Sequence, residues 1–395
     1  MARIPRMILK KIDQLTYVWV RGGVRIWVRR GVRVWPRGGV VRPRSRPRAR
    51  VLRTSRYAAG AALTAGLLAA CGGSSDVGSS SSSTAARGGG TTLALVGYST
   101  PKKAYEALTS QFAQTTAGRG VSFAESFGAS GAQSRAVASG QAADVVAFST
   151  TPDITRLVKS GIVPGSWDAN PERGISSDSV VVLVVRAGNP KHITGWDDLV
   201  KPGVDVITPN PSTSGSARWN ILAGYGAELK EGKSPAQALA YLKTLLTKNV
   251  SVQDASASAA LQTFTGGKGD VLLDYESDAL AAQKAGDAIQ LVYPKQTILI
   301  ETPIGVTAKS AHRTQAQAFV DWQWSTAGQT TWAEQGYRPV DPSVRKQFAS
   351  KFPTPPQLFT IEFLGGWSAV TKSMFAPSTG KVTKIEQQAG VPTAS

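Results

Sequence analysis

From Thr92 onward the chain alternates between runs with strand character and runs with helix character, and this alternation limits the available folds. Thr92–Tyr98, Val121–Phe127 and Asp144–Phe148 are apolar and β-branched, and segments 101–117, 131–139 and 152–160 carry helical spacing. Strand and helix in turn make βαβ units, so the expected class is α/β with a mostly parallel sheet flanked by helices. Val180–Val185 is apolar at every position, as suits a strand covered on both faces.

The pattern then repeats. A strand at 204–208 leads to a helix from Ser214, and a second helix begins at Ser234 with Pro235 in its first turn and Leu239, Leu242 and Leu246 on one face. Strand Val250–Val252, helix 256–264, strand Asp270–Asp274 and helix Glu276–Lys284 follow. Ile298–Thr307 reads as a strand that returns to the first lobe, with helices beyond it. The expected layout is residues 91–183 plus 301–395 as lobe I and 184–300 as lobe II, with a ligand cleft between them.

The first ninety residues have a different character. Residues 1–50 hold thirteen Arg and two Lys against Asp13. The formal charge of +19 falls to about +3 once everything before Cys71 is set aside, which removes net charge as an argument for a nucleic-acid partner. Val51–Tyr57 with two arginines, the apolar run Ala58–Ala70 and the small-residue exit read as a secretory signal over 51–70, too short to span a bilayer. Leu68-Ala-Ala-Cys71 resembles a bacterial lipobox, which implies lipidation of Cys71, anchorage to the outer face of the membrane and a flexible Gly/Ser tether over 71–90. A basic extension in front of such a signal is expected to be absent from the mature protein; the other reading is a disordered arm for acidic polymers or lipid headgroups. Cys71 is the only cysteine, so the exported part must be stable through its core alone, and about 300 residues suffice.

No catalytic motif in the sequence is complete. Ser99-Thr-Pro-Lys102 fits S-x-x-K, but Lys159-Ser-Gly161 precedes Ser177-Asp-Ser179, the reverse of the order that chemistry needs. His192 and His312 are the only histidines and lack partners at ligand spacing, so neither a metal site nor Ser–His catalysis is expected, and no cofactor. Gly266-Gly-Lys268 reads as a tight turn, and Asp274 with Glu276 as a solvated strand end.

Four small or polar turns remain, each between a strand and a helix: Gly97–Pro101, Gly128–Gln133, Ser212–Ser216 and Ala255–Ser258. In a parallel sheet such turns fall at the carboxyl edge, and helix starts that converge there offer N–H groups to an anion. Pro209 and Pro211 stop the strand ahead of Ser214, which is placed to cap the next helix.

Asn189–Ile193, Trp196–Val204, Val206–Pro211, Ser214–Asn220, Leu358–Glu362 and Gly365-Gly-Trp367 resemble the periplasmic sulfate- and thiosulfate-binding proteins of ABC importers. The likeness runs from about Leu93 to about Ala376 and takes in Tyr98, Tyr105-Glu106 and Ala143-Asp-Val145. It implies a two-lobed periplasmic-binding-protein type II fold, no enzymatic activity, a sulfate or thiosulfate ligand, an ABC permease partner and a monomer. Carried over by position, Ser130 would give its hydroxyl, Ser99, Ser214, Gly215, Ser216 and Ala257 their amides, and Tyr275 stands where relatives have a tryptophan ring. Ser99 replaces an aspartate and Ser216 a glycine. Another tetrahedral oxyanion such as molybdate or phosphate, an exported hydrolase or transferase, and a tethered adhesin or sensor are the alternatives.

Overall fold

A computed structural model describes residues 8–12, 15–20, 24–28 and 90–393. The expected signal over 51–70, Cys71 and the tether as far as 89 lie outside the described residues, as does most of the basic extension. The chain divides into two compact units, Met1–Ser82 and Ser83–Ser395. In the first, β1 (Ile8–Ile12), β2 (Leu15–Val20) and β3 (Val24–Val28) form an antiparallel sheet in the order β1-β2-β3. The sequence reading assigned no strands there, although β2 and β3 are rich in β-branched and aromatic residues.

The second unit is built on one ten-stranded sheet. Its strands are β4 (Thr91–Tyr98), β5 (Val121–Gly128), β6 (Val145–Ala147), β7 (Ile175–Arg186), β8 (Val206–Pro209), β9 (Val250–Asp254), β10 (Val271–Tyr275), β11 (Ile289–Val292), β12 (Gln296–Val306) and β13 (Gln357–Phe359). The order is β5-β4-β6-β12-β7-β10-β8-β9, with β11 on β7 and β13 on β12. Helices follow the strands: α1 (Lys102–Ala113), α2 (Ser130–Ala138), α3 (Thr151–Lys159), α4 (Gly215–Lys230), α5 (Pro235–Thr244), α6 (Ala257–Thr265) and α7 (Glu276–Ala285). Then come α8 (Arg313–Gln323), α9 (Thr326–Glu334), α10 (Pro342–Gln347), α11 (Gly366–Met374) and α12 (Lys381–Gln388). Among the described residues, no helix is long and apolar enough to cross a membrane.

Within the expected α/β class the sheet is parallel inside each half and antiparallel where the halves join. β4 pairs in parallel with β5 and β6, and β8 with β9 and β10, but β12 is antiparallel to β6 and to β7, and β7 is antiparallel to β10 and β11. The reason lies in the long strands. β7 and β12 cross from one half of the sheet to the other in opposite directions, paired from Leu299↔Val180 to Pro303↔Ile175. Following the pair directions along the sheet, β4, β5 and β6 run the same way as β7, whereas β8, β9 and β10 run the same way as β12. The carboxyl ends of the two sets therefore point at each other.

Both faces of this sheet are covered. Along β7, Val181, Leu183 and Val185 join the cluster that holds Trp219, Leu222 and Leu242, whereas Val180, Val182 and Val184 join the one that holds Phe264, Leu272 and Ala279. Six residues with essentially no exposure, at about 1.5–3 kcal/mol each, make this strand a main stabilising element. Residues 301–395, expected in lobe I, pack against both halves of the sheet. Phe319, Trp332 and Tyr337 pack with Tyr105 and Phe112 around β4, while Phe359, Trp367, Val370 and Val382 pack with Trp219 and Leu242 in the second half. The aromatic rings decide this: Trp367 meets Trp219 edge-on with centroids 4.6 Å apart, and Phe359 lies so close to Gly226 that no side chain would fit there.

Candidate anion-binding site

Opposed carboxyl ends bring strand-to-helix turns together. β4 ends at Tyr98 before α1, β5 at Gly128 before α2, β8 at Pro209 before α4 and β9 at Asp254 before α6. Ser214 is the N-cap of α4, as its sequence position predicts, and its side chain makes no capping bond, which leaves the first amides of that helix without it. Ser256, by contrast, caps α6 by accepting from Ala259 N.

The two halves touch across the crevice. Gly131 N donates to Thr213 O at 3.1 Å, and Trp219 Nε1 donates to Ser149 O at 2.7 Å. Ser149 Oγ and Tyr275 Oη lie 2.8 Å apart, and Tyr275 also shares a hydrogen bond with Ser216. Gly215 sits where a Cβ would collide with Ser149 Oγ and crowd Thr150, so the close seating of α4 on the opposite turn depends on a glycine. Burial, the largest cause, pushes the Tyr275 phenol above its ordinary range, so it is neutral and able both to donate and to accept.

Three predicted contacts are already engaged. Ser130 Oγ accepts from Ser149 N at 3.0 Å and donates its proton to Asp153 Oδ2 at 2.6 Å, so it must turn that proton away from the carboxylate to serve an anion. Ser214 N donates to Asn210 O at 2.9 Å, which leaves its hydroxyl rather than its amide as the group on offer. Tyr275 Oη is held by two hydroxyls. Ser99, Gly215, Ser216 and Ala257 stand at the ends of their turns as the sequence predicts, the last three buried.

Sequence reasoning missed Ser149, Thr150 and Asp153. Ser149 and Thr150 belong to a fifth turn of the same kind, Phe148–Pro152 between β6 and α3, whose Ser-Thr-Thr-Pro run was the available signal, and Asp153 follows in the first turn of α3. Asp153 is buried and also accepts from Thr150 Oγ1 at 2.9 Å and Arg156 Nη1 at 3.0 Å. Arg218 packs along its helix: its Nε donates to Pro211 O at 3.0 Å and its guanidinium lies 5.3 Å from the Phe375 ring.

The reading of Asp274 and Glu276 as a solvated strand end is overturned. Asp274, Glu276 and the neighbouring Asp278 are all buried, and Arg338 meets Glu276 through bonds of 2.6 and 2.9 Å. Among the described residues the group that could suggest a metal, Asp197 with Glu228 and Glu231, surrounds the Lys233 ammonium at 3.0–3.3 Å. That ammonium already neutralises the cluster.

Comparison with known proteins points the same way. Residues 93–338 match the family model described as bacterial extracellular solute-binding protein. A sulfate-binding protein of Synechococcus elongatus is 38% identical over 304 residues, 75% of this chain and 86% of that protein. A thiosulfate-binding protein of Pseudomonas aeruginosa is 34% identical over 283 residues, 69% of this chain and 85% of that one. Among solved structures, the sulfate-binding protein SubI from Mycobacterium tuberculosis is 46% identical and superposes with a TM-score of 0.71, covering 72% of this chain and 100% of that one.

Proposed function

The chain belongs to the bacterial extracellular solute-binding protein family, and on that premise we propose that it captures sulfate outside the cytoplasmic membrane and delivers it to an ABC permease. Its architecture is the two-lobed type II periplasmic-binding-protein fold, and the family binds solutes for transport and does not transform them. The observation that carries the reading is the opposition of carboxyl edges, which aims turns from both halves of the sheet at one crevice.

The contacts we propose are the amides of Ser99, Gly215, Ser216 and Ala257 and the hydroxyls of Ser130, Ser214 and Tyr275. Selectivity follows from proton counting. Sulfate carries no proton near neutral pH, so donors satisfy all its oxygens. Phosphate keeps a proton and would set it against another donor, at a cost of roughly 1–3 kcal/mol. Calorimetry on the purified protein is therefore expected to give sulfate affinity at least tenfold above phosphate, with Ser130→Ala weakening it; equal affinities would sink the donor-based site. One relative is a thiosulfate-binding protein, so thiosulfate is expected to compete with sulfate for the same groups in that titration.

We further propose that Cys71 carries lipid and tethers the protein to the membrane. Cys71→Ser should then release the protein into the soluble fraction, and an unchanged membrane fraction would refute the anchor.

A further inference from the structure

β10 enters α7 through Leu273-Asp-Tyr-Glu-Ser-Asp278, a run with three buried acids. Glu276 has its counter-ion in Arg338. Asp274 and Asp278 have none among the described residues. Asp274 Oδ1 accepts from Tyr275 N at 2.9 Å, but Asp274 Oδ2 and Asp278 Oδ2 are buried and meet no donor as long as both are carboxylates. The two side chains are close enough for each to shift the protonation of the other, and Thr100, with a buried Oγ1, stands beside Asp278, where its hydroxyl favours the ionised form without outweighing burial. Two bare carboxylates in such contact repel; a proton between them turns the contact into a bond.

The pair adjoins the crevice on both sides. Asp274 precedes Tyr275, a proposed contact from the second half, and Asp278 neighbours Thr100, next to the proposed contact Ser99 from the first. The phenols of Tyr98 on β4, Tyr275 on β10 and Tyr337 beyond α9 face Asp278, each raised by burial first and by that carboxylate among the lesser causes. Outward lies a cavity of about 380 Å³ that Asp278 and Thr100 share with Lys103, Lys284, Glu334 and Lys351. None of those ammonium groups forms an ion pair with either aspartate among the described residues; Lys351 donates instead to Ala333 O and Glu334 O.

We propose that Asp274 and Asp278 share a proton and that capture of the dianion is linked to holding it, so that binding draws in protons and affinity falls as pH rises through neutrality. The inference rests on the crevice being the sulfate site. Protonated, the pair adds an O–H donor and no more than one negative charge; fully ionised, it would set two charges beside the incoming two, in a medium where water screens poorly. Burial pushes Asp278 up to about 7, and burial followed by the charge of Asp278 raises Asp274 well above the usual carboxylate range, so the pair begins to lose protons in the range where sulfate itself does not titrate.

The test is calorimetry of the full chain with sulfate, in two buffers of different ionisation enthalpy, between pH 6 and 8.5. Above pH 7 the wild type should take up between a fraction of a proton and about one proton per sulfate, and lose affinity by severalfold, up to about tenfold, per pH unit. Asp278→Asn keeps the shape and can donate to Asp274, so its affinity should be flat over this range with no net uptake. A wild type with flat affinity and no uptake overturns the linkage. Should sulfate fail to bind at all, the transport reading fails, and the pair is judged separately by infrared spectroscopy of the ligand-free protein. A protonated-carboxyl band near neutral pH that disappears in both Asp278→Asn and Asp274→Asn supports the shared proton, and its absence from the wild type overturns it.

Discussion

Tyr275 is where a single atom has most to do. Its ring is buried and would remain packed in Tyr275→Phe, whereas the hydroxyl that joins Ser149 and Ser216 would be lost. One hydrogen bond to a buried partner is worth about 1–1.5 kcal/mol, so this variant is expected to bind sulfate about tenfold more weakly by calorimetry, and, having lost its bond to Ser149 in the free protein, to melt about 2–4 °C lower. Unchanged affinity would mean that the hydroxyl serves only to tie the halves. At this scale the sequence was readable where small residues marked a turn: Ser99, Ser130, Ser214, Gly215, Ser216 and Ala257 all fall at strand-to-helix junctions. It was unreadable where meaning depends on depth. Nothing in Asp274-Tyr-Glu-Ser-Asp278 says that three acids are buried, because the walls around them come from β4, from Thr100 and from Tyr337, between 60 and 180 positions away. The proton of Ser130 escaped prediction for a similar reason, since its acceptor Asp153 belongs to a different turn.

Among elements, those with strong periodicity were legible and those set by pairing were not. The apolar run Val180–Val185 announced a strand covered twice, and its alternate residues do feed two clusters. Ser177-Asp-Ser179, just ahead of it, matches a fragment of a catalytic motif in sequence, yet these residues are buried in β7. Their polar groups are satisfied by partners supplied elsewhere: Ser177 Oγ lies 2.9 Å from Thr302 Oγ1, and Asp178 exchanges backbone bonds of 2.8 Å with Arg338. Pro303 lies inside the strand read over Ile298–Thr307, and the ladder accommodates it with a register shift between Thr302 and Pro303. β11 and β13 carry too few residues to signal themselves; they exist because β7 and β12 offer them an edge. The helix expected over 234–246 is present, and its end is relaxed into a π turn at Leu245–Asn249 before β9.

For the molecule as a whole, buried carboxyls set the response to pH. Asp178, Asp278 and Glu386 are each pushed up to about 7, in every case mainly by burial; the charge of Glu301 adds to this for Asp178. A carboxyl raised on folding binds more protons in the folded than in the unfolded chain between roughly pH 4 and 7, so stability declines as pH climbs through that window. Asp198 runs the other way: hydrogen bonds from Lys201, Thr194 and Gly195 outweigh its burial and hold it at about 2, so its contribution is lost only in strong acid. Thermal melts should therefore show a higher melting temperature at pH 5.5 than at pH 7.5, and the gap should narrow in Asp178→Asn; a rise toward pH 7.5 would contradict the account. The sheet adds a mechanical consequence. Because the two crossing strands β7 and β12 are laddered to each other, one half of the sheet cannot slide freely past the other, and a twist about that ladder is the motion it permits most easily. Whatever grips the outer rims of both jaws can thus read whether cargo is aboard from the spacing between two surface points, without ever reaching the cargo.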